Sequence, residues 1–228
     1  MRNAYLEDLR NISDRLVDMT RLAGSAMSRA SAALLDADID LADAVIAADH
    51  EIDTAREDLD TLAIDLLARQ SPVATDLRTV VTAMRMSSDL ERMGDLARHV
   101  AKVARLRYPE SAVPPELRET ITHMSQAASR IVAKAGSVIA SRDLADAASL
   151  ERDDDAMDDL HRELFAHLAD AQWDYPTQVT VDLTLLGRYY ERFADHAVSV
   201  ARRVTFLVTG DYDTVVDRED EEDSVLTS

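Results

Sequence analysis

The sequence predicts an all-α fold: two tandem three-helix bundles built from six long helices. Three observations carry this. Hydrophobic residues are 46% of the 228-residue chain but aromatics only 4%, so the core must be Ala, Leu, Val and Met, as helix-on-helix cores are. The prolines, at 72, 109, 114, 115 and 176, all fall between long segments of helical period. And Glu91-Arg92-Met93-Gly94-Asp95 returns 100 residues later as Glu191-Arg192-Phe193-Ala194-Asp195.

The period predicts helices over 4–36, 39–70, 73–107, 115–141, 143–171 and 177–209. Asp36-Ala37-Asp38 and Ser141-Arg142-Asp143 offer N-cap oxygens to the second and fifth. Ser71-Pro72 stops one helix and starts the next, since proline is tolerated in a first turn. Asp174-Tyr175-Pro176-Thr177 marks the last turn, and Gly210 suits a helix C-terminus. A helix of about 30 residues is ~45 Å long, so these elements should lie side by side as rods.

Tyr108-Pro109-Glu110-Ser111-Ala112-Val113-Pro114-Pro115 divides the chain near its midpoint. Asp40-Leu41-Ala42-Asp43-Ala44 recurs as Asp143-Leu144-Ala145-Asp146-Ala147 at an offset of 103, against 100 for the Glu-x-x-x-Asp pairs. Two antiparallel three-helix units follow, over 1–109 and 114–211. Beyond them, 212–228 is acidic and poor in apolar residues and is expected to be disordered.

A net charge of -19 argues against nucleic acid as a partner. The absence of cysteine removes disulfides and thiolate chemistry. No window approaches the run of about 18 apolar residues that a membrane span requires. Met1-Arg2-Asn3-Ala4-Tyr5-Leu6-Glu7-Asp8 lacks a leader's apolar stretch, so the expectation is a cytoplasmic protein.

Acid-x-x-x-Asp spacing puts both carboxylates on one helical face. Each half has two such pairs: Asp49/Asp53 with Glu91/Asp95, and Asp154/Asp158 with Glu191/Asp195. Taken singly, such pairs are most often solvated or ion-paired. Asp53 has Arg56 at i+3 and Asp158 has Arg162 at i+4, which fits that reading. Asp49 fits it badly, lying among Val45, Ile46 and Ile52, as does Asp154 with Leu150 and Met157. Glu91 sees Ser87, Ser88, Gly94 and Asp95 one turn away and no base there. Asp195 adjoins Glu191 and Val198, with Arg192 within reach.

A half-buried carboxylate without a base must be protonated, paired across helices or bound to a cation. Carboxylates converging from two helices are hard oxygen donors suited to Mg²⁺, Mn²⁺ or iron. Small residues beside the pairs (Ser87, Gly94, Gly187, Ala194) would let the helices approach. His196 follows Asp195 and could join such a set, but Leu96 holds the matching place. His50, His99 and His161 lie one turn from the acids and read as exposed side chains paired with carboxylates.

These residues resemble the paired signature of the PhoU family, the accessory regulators of phosphate-specific transport. The likeness lies in Asp89-Leu90-Glu91-Arg92-Met93-Gly94-Asp95 and in Tyr190-Glu191-Arg192-Phe193-Ala194-Asp195-His196-Ala197-Val198. Ser71-Pro72-Val73-Ala74-Thr75-Asp76-Leu77-Arg78 and Arg202-Arg203-Val204-Thr205-Phe206-Leu207-Val208-Thr209-Gly210 extend it. The resemblance implies that the two tandem three-helix bundles are related by pseudo-twofold symmetry, with a multinuclear metal site in each (Fe, Mn, Mg or Zn), held by Asp49, Asp53, Glu91 and Asp95, then by Asp154, Asp158, Glu191 and Asp195. It also implies a non-enzymatic negative regulator of the phosphate-starvation response and of uptake. Such a protein links the ATPase of the phosphate ABC transporter to a sensor histidine kinase, meets the membrane only through partners, and forms a homodimer. The alternative is a carboxylate-bridged di-metal oxidase or metal-storage bundle. That chemistry asks for Glu-x-x-His on two helices, and no Glu here has His at i+3.

Overall fold

The computed structural model describes residues 2–211, with side chains from Tyr5 onward. The expectation for 212–228 lies outside the described residues. Among those described, the chain forms α1 (Arg2–Asp36), α2 (Ile39–Ala48), α3 (His50–Gln70), α4 (Ala74–Arg107), a 3₁₀ turn (Pro115–Leu117), α5 (Arg118–Ser141), α6 (Leu144–Leu168) and α7 (Thr177–Thr209).

Helices α2 and α3 together fill the second predicted rod. The interruption is Asp49, whose φ of -54° and ψ of -37° remain helical, so the rod continues through it. Helix α6 stops short of the expected residue 171, because the chain turns with Trp173 N donating to the Asp170 carbonyl. The predicted stops hold. Ser71 (φ 44°) and Gly210 (φ 80°) are left-handed caps whose N–H groups return to Leu67 O and Phe206 O.

The N-caps fix the internal register. Asp38 Oδ1 accepts from Leu41 N at 2.9 Å, and Asp143 Oδ1 accepts from Ala145 N at 2.8 Å. These caps lie 105 residues apart, as do Asp49 and Asp154. Buried Ala42, Val45, Ile52 and Leu59 correspond at the same offset to buried Ala147, Leu150, Met157 and Leu164. The five-residue match at an offset of 103 is therefore two residues out of register, a chance likeness in Ala/Asp-rich sequence. Helices α4 and α7 keep the offset of 100. From 81 to 94 and from 181 to 194 they show the same succession of buried, half-buried and exposed positions.

In each half, α1 or α5 lies beside α4 or α7, with α2–α3 or α6 as the third rod. The halves then join along two seams, α1 on α5 and α4 on α7, so that one apolar core runs through both. The first seam is close: a Cβ on Gly136 would stand 2.6 Å from Thr20 Oγ1. Polar contacts also tie the halves together, two of them well buried. Ser31 Oγ lies 2.6 Å from Tyr190 OH in the buried core, and Arg107 grips Asp182 through Nε at 2.5 Å and Nη2 at 2.9 Å.

Candidate functional site

At the junction of α2 and α3 the Asp49 side chain is only 7% exposed. Burial raises its carboxyl above the usual range, and Arg98 beside it pulls the other way. Asp53 and Asp95 add repulsion to Asp49, so acids from the α2–α3 rod and from α4 do meet. Glu91 is raised likewise, by burial first and then by Asp95 and Asp53. All four predicted acids of the first half therefore share one face.

That face also holds bases. Arg98 Nη1 donates to Asp49 Oδ2 at 2.5 Å while its Nη2 donates to Asp95 Oδ1, so one guanidinium bridges the two helices. Arg92 approaches Asp95 at 3.4 Å and Glu91 at 4.0 Å. Arg56 bonds Asp60 at 3.4 Å, not the Asp53 its spacing suggested, and lowers Glu91 electrostatically. Sequence reasoning missed Arg98, although it stands at i+3 from Asp95 and so on the acids' own helical face.

In the second half, Asp154 is pushed up to about 7 by burial and then by Asp195, Asp158 and Asp155, with Arg202 pulling the other way. Asp154 and Asp195 belong to α6 and α7, so these helices also turn their acids toward one another. Glu191 accepts from Arg188 at 2.5 Å and has His161 Nδ1 at 3.7 Å. Arg162 pairs with Asp159 at 2.5 Å.

The histidines are more specific than their spacing suggested. His196 turns away from the acid pairs: its Nδ1 lies 3.3 Å from Asp89 Oδ1 on α4, and Arg203 Nε donates to the same carboxylate at 2.7 Å. This contact belongs to the α4–α7 seam. His99 stacks on Tyr189 across that seam, with centroids 5.3 Å apart. His50 Nδ1 is engaged by Ala47 O at 2.7 Å.

Both donor sets are hard oxygens, the chemistry a divalent cation selects. The fit differs between halves. In the second, His161 has Nδ1 toward Glu191 and its unpartnered, buried Nε2 toward Gly187; in the first, Arg56 and Arg98 have buried Nε atoms without a partner. As they stand, no three Asp, Glu or His side chains among the described residues are grouped to grip one ion. Binding would need side-chain rotation.

A family model described as PhoU domain matches residues 16–104 and 121–204, one copy on each three-helix unit. The chain belongs to the PhoU family. Phosphate-specific transport system accessory protein PhoU homolog 2 of Mycobacterium tuberculosis is 50% identical over 210 residues, covering 92% of this chain and 99% of that protein. PhoU homolog 1 of Mycobacterium leprae is 48% identical over 212 residues, covering 93% and 96%. The crystal structure of PhoU from Pseudomonas aeruginosa superimposes with a TM-score of 0.80 at 30% identity, over 92% of this chain and 100% of that one. PhoU from Streptococcus pneumoniae, a phosphate transport system regulatory protein, gives 0.81 at 25% identity, over 93% and 99%. The PhoU fold thus accounts for nearly all the described residues, and no helix among them is long and apolar enough to cross a membrane.

Proposed function

We propose that this chain is an accessory regulator of phosphate-specific transport that restrains uptake and holds down the phosphate-starvation response when phosphate is plentiful. The observation that carries the reading is near-end-to-end likeness, at about half identity, to proteins bearing that accessory name. In this role it works without catalysis in the cytoplasm, as an adaptor between the ATPase of the phosphate importer and a sensor histidine kinase. The long helical faces supply the docking surface, and the chain pairs as a homodimer.

The acid faces are read as cation sites. Asp49, Asp53, Glu91 and Asp95 would hold a metal in the first half, and Asp154, Asp158, Glu191 and Asp195 in the second. A bound divalent ion supplies positive charge that relieves repulsion among these acids and cross-links the two helices carrying them.

Deletion of the gene should derepress phosphate-responsive transcription in phosphate-rich medium, and reintroduction should restore repression. Mycobacterium tuberculosis carries two PhoU homologs, so a host with a second copy must lose both. Unchanged transcription in that double deletion defeats the regulatory reading. Tagged protein should also co-purify with the importer ATPase and the kinase; recovery of neither from phosphate-rich cells defeats the adaptor role.

A further inference from the structure

Positive charge and exposed apolar surface are gathered on one side of the molecule. Helices α4 and α7 hold eleven Arg or Lys against seven Asp or Glu, a net +4, while the rest of the chain holds 14 bases against 37 acids. Five of the eleven bases are exposed (Arg85, Arg92, Arg105, Arg188 and Arg192), but of the seven acids only Asp195 is. Of thirteen exposed large hydrophobic side chains among the described residues, six lie on these two helices. We propose that this face is the docking surface for the chain's own acidic segment, residues 212–228, which folds back along it as a strap that any anionic partner must first displace.

The face is ordered as apolar, basic, apolar. Leu77, Val81, Arg85, Ser88 and Arg92 recur every three or four residues and form one exposed stripe of α4; Val181, Leu185, Arg188 and Arg192 form the matching stripe of α7. The helices run antiparallel, as the contacts of Arg107 with Asp182, His99 with Tyr189 and Arg78 with Phe206 require. Leu77 and Val81 therefore stand with Val208 at the end where α7 stops, and the arginines occupy the middle. Val181 and Leu185 stand with Leu106 and Tyr108 at the far end. Arg92 and Arg188 reach Asp95 and Glu191, but they are 63% and 51% exposed, over acids only 21% and 18% exposed. A guanidinium has five donors, so each keeps N–H groups for a second carboxylate.

The acidic segment repeats that order from the same end. It follows Gly210, which lies against Arg78 at the foot of the face. Tyr212, Val215 and Val216 come first, then an acidic run from Asp217 to Asp223 broken only by Arg218, then Val225 and Leu226. Over 212–228 there are seven acids against one base, opposite a layer of net +4. The lengths agree as well. From Phe206 back to Leu185 the helix rises about 32 Å. The stretch from Val216 to Leu226, extended, spans about 33 Å. A second copy suits this face less, because two such faces would bring arginines onto arginines.

The chain has no cysteine, so introduced pairs report the fold-back directly. In the full chain, Leu226→Cys is combined with Leu185→Cys or with Val81→Cys, and circular dichroism and melting temperature are matched to wild type. Intramolecular disulfide formation is then timed in oxidised glutathione. A flexible tether from Gly210 to Leu226, 16 residues, has an r.m.s. reach of about 20–24 Å. Leu185 lies about 38 Å along α7 from Gly210, whereas Val81 is one turn from Arg78 and so close to the tether point. An undocked segment therefore closes the Val81 pair faster. The strap should reverse this, with the Leu185 pair closing at least ~10-fold faster at low salt. That advantage should vanish in about 1 M NaCl, where charges are screened within about 3 Å, and in the full chain carrying Glu219→Gln, Asp220→Asn, Glu221→Gln and Glu222→Gln. Equal rates, or a faster Val81 pair, overturn the proposal and leave the face to an outside partner. Disulfide-linked dimers in place of closed monomers overturn it too, and assign the face to the segment of a second copy. Closure unmoved by salt and by the neutral segment overturns the role given to the arginines.

Discussion

Asp182 is the sharpest place to test what joins the halves. Its side chain is 8% exposed, sits in α7, and accepts two hydrogen bonds from Arg107 at the end of α4. Asp182→Ala leaves a guanidinium facing an empty buried space. Breaking a buried pair from one side costs about 3–5 kcal/mol, but Arg107 is 22% exposed and can turn partly to water, which reduces the expectation to about 2–3 kcal/mol. Arg107→Ala should cost more, about 3–5 kcal/mol, because the acid left behind cannot reach solvent. In a chain of this size about 1 kcal/mol moves the melting temperature by roughly 2–4 °C, so Asp182→Ala should lower it by about 4–12 °C. A double-mutant cycle in urea should give a coupling of at least ~1.5 kcal/mol, whereas independent sites add to within about 0.5 kcal/mol. Additive single substitutions would refute the clasp. Asp182→Leu with Arg107→Met should recover most of the loss, since a packed apolar pair often matches a buried ionic one. Thr82, the buried counterpart of Asp182 in α4, shows that the repeat itself requires no acid at this position.

Gly94→Ala should destabilise by up to about 2 kcal/mol net, because the new methyl would stand 2.7 Å from Cγ2 of branched Ile52, with overpacking at about 1–3 kcal/mol set against a helix gain near 1. Ile52→Met should relieve it, as unbranched Met157 and Ala194 stand at these places in the second half; urea midpoints of the single and double variants decide. Asp143→Ala removes an N-cap oxygen from two amides and should cost about 1 kcal/mol, read from the same melts. Asp154 titrates near 7 when folded, above an ordinary unfolded Asp near 3.9, so the native state binds its proton more tightly. Its contribution to stability is therefore full below about pH 4 and lost as pH rises toward 7. Asp154→Asn should flatten that decline in metal-free protein, as measured by melts in chelator at several pH values. An unchanged slope refutes the burial assigned to Asp154.

The architecture was largely legible because its signals are local. Proline positions, caps at Asp38 and Asp143, the stop at Ser71 and the terminal Gly210 each act within one turn of chain. The acid pairs were legible for the same reason, since i, i+4 spacing fixes a face. What escaped depends on neighbours distant in sequence. Asp49 was read only through the apolar Val45, Ile46 and Ile52 one turn away, and its partner Arg98 arrives 49 residues later from α4. His196 was placed with Asp195 by adjacency, but α4 packs against α7 and gives it Asp89. Arg56 had two acids within a turn, and spacing alone could not choose between them. The repeat register was misjudged because letter identity in low-complexity sequence is weaker evidence than matched burial and caps.

The seams of α1 on α5 and α4 on α7 have a consequence for any attempt to cut the protein in two. Neither three-helix unit is finished alone, since each would turn residues such as Thr20, Val132 and Tyr190 out to water. An isolated unit would have to find a sister to cover that surface. The tandem chain carries its sister on the same thread, leaving the two copies free to diverge in charge while their shared interior stays closed.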